Sequence, residues 1–152
     1  MGVELDTAEL RDFLARAHTG VLTTLRRDGS PIGMPMWFVV LDGAVHFRTP
    51  ARTRKVARLR RDPRASFVVE SGRSWIELKS VVLSGVLVLV EDAAERTRID
   101  AALDAKYEAY RMDPDELPAA TRRFYDVDYA HLRLDVDRPP LSWDNGKLVR
   151  RR

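Results

Sequence analysis

The chain has 152 residues, 45% of them hydrophobic, which is enough for one domain with a substantial core. It contains no cysteine, which excludes disulfide bonds, thiolate metal sites and a thiol nucleophile. The formal net charge is +3, and no apolar run has the length of a membrane span or a secretory signal. We therefore expect a cytoplasmic protein with no membrane partner.

The first third of the chain predicts a helix followed by three antiparallel strands. Asp6 and Glu9 form a capping-box pattern, and apolar residues follow at helical spacing. The alternating segments 21–25 and 32–41 predict two strands joined by a turn. Asp42-Gly43 predicts a second tight turn, which leads into a third strand over residues 44–48.

The next segment predicts a short basic helix between two strands. Thr53 is its predicted N-cap, and Asp62-Pro63 ends it because proline restricts the residue before it. Thr49, Thr53, Arg54 and Lys55 would then converge on the helix N-terminus, where unpaired N–H groups favour anions. This pattern indicates a site for a phosphate monoester. The solvated face of a surface helix produces the same pattern.

The second half of the chain predicts three more strands and two helices. The strands are predicted at 65–70, 75–90 and 132–136, with Gly85 as a bulge or bend in the second. Asp92 caps a helix on which Ile99, Leu103 and Tyr107 share a face, and a short helix is predicted at 119–125. Six strands with these helices predict a mainly β, six-stranded antiparallel barrel in one domain over residues 1–152.

Two motifs resemble those of the pyridoxamine 5'-phosphate oxidase family. Thr53-Arg54-Lys55 is similar to the Ser/Thr-Arg-Lys triplet with which that family binds the phosphate of FMN. Asp62-Pro63-Arg64 resembles the Asn/Asp-Pro-Arg sequence that ends the following helix in the family. Towards the C-terminus, Ser142-Trp143-Asp144-Asn145-Gly146 resembles its Phe-Trp-Gln-Gly-Gly stretch. The resemblance implies a split β-barrel and a homodimer, with the flavin in the groove between two chains.

The resemblance also implies roles for residues outside the phosphate motif. Met36, Trp37 and Phe38 would form the floor of the flavin ring, and Trp143 would belong to the cofactor pocket. Lys79 and Ser80 stand where the family has a basic residue and a glutamine that face the cofactor. From the sequence alone, the aromatic strand is equally typical of barrel core, and Lys79-Ser80 of an outward-facing polar pair.

This chain departs from the oxidase proper where that enzyme holds its vitamin B6 substrate. Met34 and Val39 stand in place of the Arg and Lys of an Arg-x-x-Leu-Leu-Lys strand, and residues 147–152 lack the Arg-x-His-Asp-Arg motif. The resemblance therefore implies an oxidoreductase that uses FMN or the deazaflavin F420 for hydride transfer to or from a small organic substrate. The cofactor would supply the chemistry, without a catalytic side chain. The additional cations Arg52, Arg58 and Arg61 would suit the anionic tail of F420.

Two other classes of function stay open at this point. The same barrel could serve a non-catalytic flavin-binding or haem-binding protein, because a fold does not determine function. The basic segment 52–64 could bind nucleic acid, but it lies between two strands and has few interleaved aromatic residues, so we expect no nucleic-acid partner. His18, His46 and His131 lack metal-ligand spacing, and we expect Asp100 and Asp104 on an exposed helix face.

Overall fold

The computed structural model describes residues 2–149, so the last three residues of the C-terminal segment compared above lie outside the described part. Four α-helices span α1 (Thr7–Arg16), α2 (Arg54–Arg61), α3 (Ala93–Tyr107) and α4 (Ala119–Tyr125). Eight strands span β1 (Gly20–Leu25), β2 (Pro31–Met36), β3 (Val39–Leu41), β4 (Ala44–Pro50), β5 (Arg64–Ser71), β6 (Lys79–Leu89), β7 (Tyr129–Val136) and β8 (Leu141–Asp144).

Local sequence signals determine where most of these elements begin and end. The capping box of α1 is present, since Glu9 N–H donates to Asp6 Oδ1 at 2.8 Å and Asp6 N–H donates to Glu9 Oε2 at 2.9 Å. Asp42 and Gly43 have φ of 51° and 79°, the left-handed pair that a tight hairpin turn between β3 and β4 requires. Thr53 is the N-cap residue of α2 and Asp62 its C-cap, as predicted.

All strand pairs are antiparallel, and the sheet curls until its two ends meet. The hydrogen-bonded order is β2-β1-β5-β6-β7-β4-β3, with β8 added to β6. The first and last strands of this path are consecutive in the chain and are separated only by Trp37 and Phe38. A flat sheet would hold those strands far apart, so the sheet must curl into a barrel that is split at this corner. The split β-barrel class is confirmed.

The structure has eight strands instead of the predicted six, because one predicted strand is divided and one is added, and a third strand begins later than predicted. The expected strand 32–41 breaks at Trp37 and Phe38, because the chain turns the barrel corner there. The expected strand 75–90 begins as a short 3₁₀ helix, Trp75–Glu77, and becomes extended only at Lys79. The proline-rich tail contains β8, whose Trp143 pairs with Ser80. Such pairing over a long sequence distance leaves no local signal in a four-residue strand.

The barrel interior is filled by aromatic and branched side chains. Phe67 makes edge-to-face contacts with Phe38 and Phe47 at centroid distances of 4.9 and 5.0 Å, and all three are fully buried. Gly85 is required by packing, because a Cβ there would collide with the carbonyl oxygen of Asp135 on β7. The strand β6 pairs on both sides through Gly85 without a break.

Helix α3 packs its predicted apolar face, Ile99, Leu103 and Tyr107, against the outside of the barrel. Asp104 is exposed and Asp100 partly exposed, as expected, and both also accept from Arg48 of β4, at 2.7 and 3.4 Å. These ion pairs tie the polar side of α3 to the barrel. Among residues 2–149, no helix combines the length and apolar character that crossing a membrane requires.

Candidate functional site

A basic groove of about 780 Å³ runs along one side of α2, from the residues before its N-terminus to its last residue, Arg61. We define the basic groove by its seven cationic side chains and the four hydrophobic residues and one hydroxyl residue between them. The cations are Arg26, Arg27, Arg52, Arg54, Lys55, Arg58 and Arg61, and the other residues are Ile32, Met34, Thr53, Ala57 and Phe124. No carboxylate lines the basic groove in the described part of the chain.

Two of these cations are held in place by the neighbouring strand β1. The Arg58 guanidinium donates to Thr24 Oγ1 at 3.1 Å and lies 3.6 Å from Met34 Sδ. Arg61 donates to the carbonyl oxygen of Leu25 at 3.0 Å. These partners are neutral, so both guanidinium groups are oriented without being neutralised.

The positive charge of the basic groove is not neutralised by direct ion pairs, although the carboxylates of Asp28 and Asp62 interact electrostatically with Arg26 and Arg61. Within residues 2–149, none of its seven cations forms an ion pair with a carboxylate. Burial lowers the pKa of the Lys55 ammonium, and the nearby Arg58 lowers it further. Burial also lowers the pKa of Arg58, with added repulsion from Arg26, Arg61 and Arg54. An anion bound here would relieve this repulsion, because it would be the missing partner of several clustered cations.

Thr53 contributes an unpaired oxygen at the N-terminus of α2. Its Oγ1 is buried without a hydrogen-bond partner, and it does not cap the helix. The first N–H groups of a helix have no intrahelical acceptor, so these donors point towards the same place. Thr49 lies nearby in the chain on β4, where its side chain is buried. A phosphate monoester fits this set of donors, since it has three acceptor oxygens and a double negative charge.

Of the predicted ring-floor residues, only Trp37 offers side-chain surface. Met36 and Phe38 pack into the barrel core, Phe38 with no exposed surface, whereas Trp37 keeps 36% of its surface exposed. The Tyr107 hydroxyl accepts the N–H of Phe38 at 2.9 Å and lies within donating distance of two carbonyl oxygens, those of His18 (2.8 Å) and Phe38 (2.9 Å). These bonds fix the barrel corner and place Trp37 outside it.

Lys79, Ser80 and Trp143 form a separate group at the pairing of β6 with β8. Ser80 is buried, and its hydroxyl donates to the carbonyl oxygen of Val69 at 2.9 Å. Lys79 forms an ion pair with Asp144 at 3.1 Å. Trp143 is half-buried on β8, opposite Ser80. None of the three lines the basic groove of their own chain.

The model of the family described as pyridoxamine 5'-phosphate oxidase matches residues 6–134. This match covers the whole barrel up to β7 and includes the basic groove. The chain belongs to the pyridoxamine 5'-phosphate oxidase family. No sequence among the curated proteins is a significant match to it.

Solved structures agree with this family fold. The conserved hypothetical protein Rv2991 from Mycobacterium tuberculosis is 31% identical, with a TM-score of 0.81, and the match covers 96% of this chain and 89% of that one. An FAD-binding protein from Mesorhizobium loti is 19% identical, with a TM-score of 0.69 and coverage of 93% and 96%. HutZ, the haem storage protein from Vibrio cholerae, is 15% identical, with a TM-score of 0.69 and coverage of 92% and 97%. The latter two show the fold alone.

Sequence reasoning missed six residues that line the basic groove, namely Arg26, Arg27, Ile32, Met34, Ala57 and Phe124. Arg26 and Arg27 belong to the turn between β1 and β2, and Phe124 to α4, far from the phosphate motif in the chain. The signal for Arg26 and Arg27 was a pair of cations beside a tight turn, which is typical of many exposed hairpins. Only the barrel brings that turn next to α2.

Proposed function

We propose that this chain is a flavin-dependent oxidoreductase that uses FMN or F420 for hydride transfer to or from a small organic substrate. The observation that supports it best is the basic groove, in which seven cations that form no ion pair within residues 2–149 lie along α2 and beside its N-terminus. The family match supports the same cofactor class. When bound, the flavin ring would supply the redox chemistry, and this chain would supply position, charge and exclusion of water.

The residues at the start of α2 would hold the cofactor phosphate. Thr53 Oγ1 would donate its unused hydrogen bond to a phosphate oxygen. Lys55 and Arg54 would add charge-assisted bonds, and the backbone N–H groups of the first turn would complete the set. Arg58 and Arg61, which β1 holds in place, would meet any second anionic group, such as the phosphodiester tail of F420.

The substrate is not expected to be pyridoxamine phosphate. Val39, which stands where the oxidase has its lysine, packs into the core beneath α3. Met34, which stands where the oxidase has its arginine, lies beside Arg58. Neither position offers a cation of its own to a substrate phosphate.

A homodimer is part of the proposal. Lys79, Ser80 and Trp143 do not line the basic groove of their own chain, so their predicted contact with the cofactor requires a second copy. In such a dimer Trp143 would reach the flavin of the partner subunit. Ser80 could contribute its oxygen only as an acceptor while its proton is given to Val69.

Titration of the purified chain with FMN and with F420, followed by fluorescence, tests the proposal. We expect Lys55→Met to weaken binding by about 10- to 100-fold, since a charge-assisted bond to phosphate contributes about 1.5–3 kcal/mol. Arg60→Met is the matched control, because Arg60 is an exposed cation on the same helix that does not line the basic groove. It should change the affinity by less than about threefold.

Equal effects of the two variants would show that only the overall charge of the helix matters, and would contradict the phosphate site. Binding of neither cofactor would refute the oxidoreductase proposal. If a cofactor binds, its reduced form should be reoxidised by a substrate in an anaerobic absorbance assay. A bound cofactor that no acceptor reoxidises would favour a storage or sensing role.

Haem binding is the second candidate, and one observation favours it. The imidazole of His18 is exposed and lies edge-on to Tyr110, with a centroid distance of 4.4 Å, and to Trp37, at 6.1 Å. Histidine is a common axial ligand of haem iron, and aromatic rings pack well against a porphyrin. Titration with haemin should then give a sharp Soret band in the wild type that is lost in His18→Ala. A Soret band that is unchanged in this variant would exclude His18 as the ligand.

A further inference from the structure

A second cavity, of about 510 Å³, lies between the end of β4, the end of α3 and the segment 110–129. We call it the aromatic cavity, because three tyrosines and a tryptophan are among its ten lining residues. Its lining residues are Trp37, Arg48, Pro50, Leu103, Tyr110, Arg111, Met112, Leu117, Tyr125 and Tyr129. A volume of this size suits a small organic molecule of one or two fused rings.

Trp37 forms a rigid wall of the aromatic cavity. Its ring stacks on that of Tyr107 at a centroid distance of 4.3 Å, with the two planes within 1° of parallel. Tyr107 is itself fixed by the hydrogen bonds of its hydroxyl at the barrel corner. A wall that is already immobilised loses little side-chain entropy when a flat ring stacks on it. This arrangement favours planar ligands.

The charges in the walls of the aromatic cavity are neutralised within the chain. Arg48 lies 2.7 Å from Asp100 and 3.4 Å from Asp104, and Arg111 lies 2.6 Å from Asp104. The Arg48 guanidinium also lies 5.1 Å from the centroid of the Tyr129 ring. An anionic ligand would find no free cation here, unlike in the basic groove. The free-energy cost of desolvating its charge would therefore exceed the attraction to guanidinium groups that are already paired.

The aromatic cavity and the basic groove are neighbours along two segments of the chain. Phe124 borders the basic groove and Tyr125, the next residue, borders the aromatic cavity. In the same way, Arg52 lines the groove and Pro50 lines the cavity. A ligand in the aromatic cavity would thus lie beside a cofactor whose phosphate sits in the groove.

We propose that the aromatic cavity is the substrate site, and that its substrates are uncharged planar aromatic molecules of one or two rings. This inference rests on the proposed function, because it assigns the substrate class of the same site. Trp37 and Tyr125 are the specificity-determining residues, since both are aromatic residues that line the cavity from different parts of the fold. The two sites differ in free positive charge, so the basic groove would bind the anionic cofactor and the aromatic cavity the neutral substrate.

Calorimetric titration of the flavin-loaded chain with 1,4-naphthoquinone tests this assignment. The chain has no cysteine, the side chain that adds to quinones most readily, so we expect the heat to report mainly reversible binding. The matched anionic probe is 1,4-naphthoquinone-2-sulfonate, which has the same ring system. We expect the neutral probe to bind at least tenfold more tightly than the sulfonate.

With each variant loaded at saturating flavin, Trp37→Ala should weaken binding of the neutral probe at least tenfold, and Tyr125→Ala at least threefold. Trp75→Ala is the matched control, because Trp75 is 66% exposed and does not line the cavity, and it should bind the probe as the wild type does. The inference is overturned if the cofactor binds and the neutral probe does not, if Trp37→Ala and Tyr125→Ala bind the probe normally, or if the sulfonate binds more tightly. A chain that binds the probe but no flavin refutes the proposed function, and with it the substrate role.

Discussion

The Tyr107 hydroxyl links α3 to the barrel corner beside Trp37, and Tyr107→Phe removes this hydroxyl alone. The ring and its stacking on Trp37 remain, because phenylalanine keeps the same aromatic area. What disappears is the acceptor of the Phe38 N–H at 2.9 Å and the donor to the His18 carbonyl at 2.8 Å.

The expected loss of stability follows from the environment of those groups. Phe38 is fully buried, so its N–H has no access to water once the hydroxyl is gone. An unpaired buried N–H costs about 1–3 kcal/mol, and the lost bond to His18 adds about 0.5–1 kcal/mol. The carbonyl oxygen of Phe38 keeps the ammonium of Lys106, which donates to it at 3.0 Å. We therefore expect Tyr107→Phe to lower the free energy of unfolding by about 2–3 kcal/mol.

Thermal and urea unfolding, followed by circular dichroism, measure this loss. For a chain of this length, the expected change corresponds to a fall in Tm of about 5–10 °C. Tyr110→Phe is the matched control, because Tyr110 is 62% exposed and its hydroxyl makes no hydrogen bond within residues 2–149. The free energy of unfolding of Tyr110→Phe should lie within about 0.5 kcal/mol of the wild-type value. A loss below about 0.5 kcal/mol in Tyr107→Phe, or equal losses in both variants, would refute the reasoning.

Two further predictions concern packing and pH. Gly85→Ala should lower the free energy of unfolding in urea by at least about 2 kcal/mol, because its Cβ would meet the backbone of β7. The control Gly29→Ala should lower it by only about 1 kcal/mol, because Gly29 lies in open space and its φ of 84° adds only left-handed strain. Similar losses in both variants would contradict the close approach of β7 to Gly85. Burial lowers the pKa of Lys106 to about 8, so the unfolded chain binds more protons than the folded chain above pH 8 and stability should rise with pH there. Because Lys106 is half-exposed, we expect Lys106→Met to remove a rise of only about 1 kcal/mol between pH 7 and 9.5, and parallel pH profiles of the two proteins would show that the ammonium is not desolvated.

The sequence predicted those parts of the fold that neighbouring residues control. The capping box at Asp6, the left-handed turn at Asp42-Gly43 and the limits of α2 were all correct, because each depends on contacts within a few residues. The same is true of the apolar face of α3. The family could also be inferred from the two motifs, and the family match confirms it.

The break at Trp37 and Phe38 illustrates what local pattern cannot supply. Residues 32–41 are compatible with one continuous strand, and they are divided only because the curled sheet has to close. The closure is stabilised by Tyr107, which lies 69 residues further along the chain from Phe38. Hydrogen bonds over such distances depend on the whole fold, so no window of neighbouring residues contains them.

By itself, the sequence determined the barrel strands with the strongest alternation, the limits of α2 and the position of Thr53-Arg54-Lys55 at its start, because periodicity, capping and proline act locally. Only the tertiary structure decided that Arg26 and Phe124 join that motif, that Phe38 turns inwards while Trp37 turns outwards, and that the cations of the aromatic cavity are ion-paired while those of the basic groove are not. The physical reason is that charge compensation and burial depend on distances in space, and the closure of the barrel sets those distances.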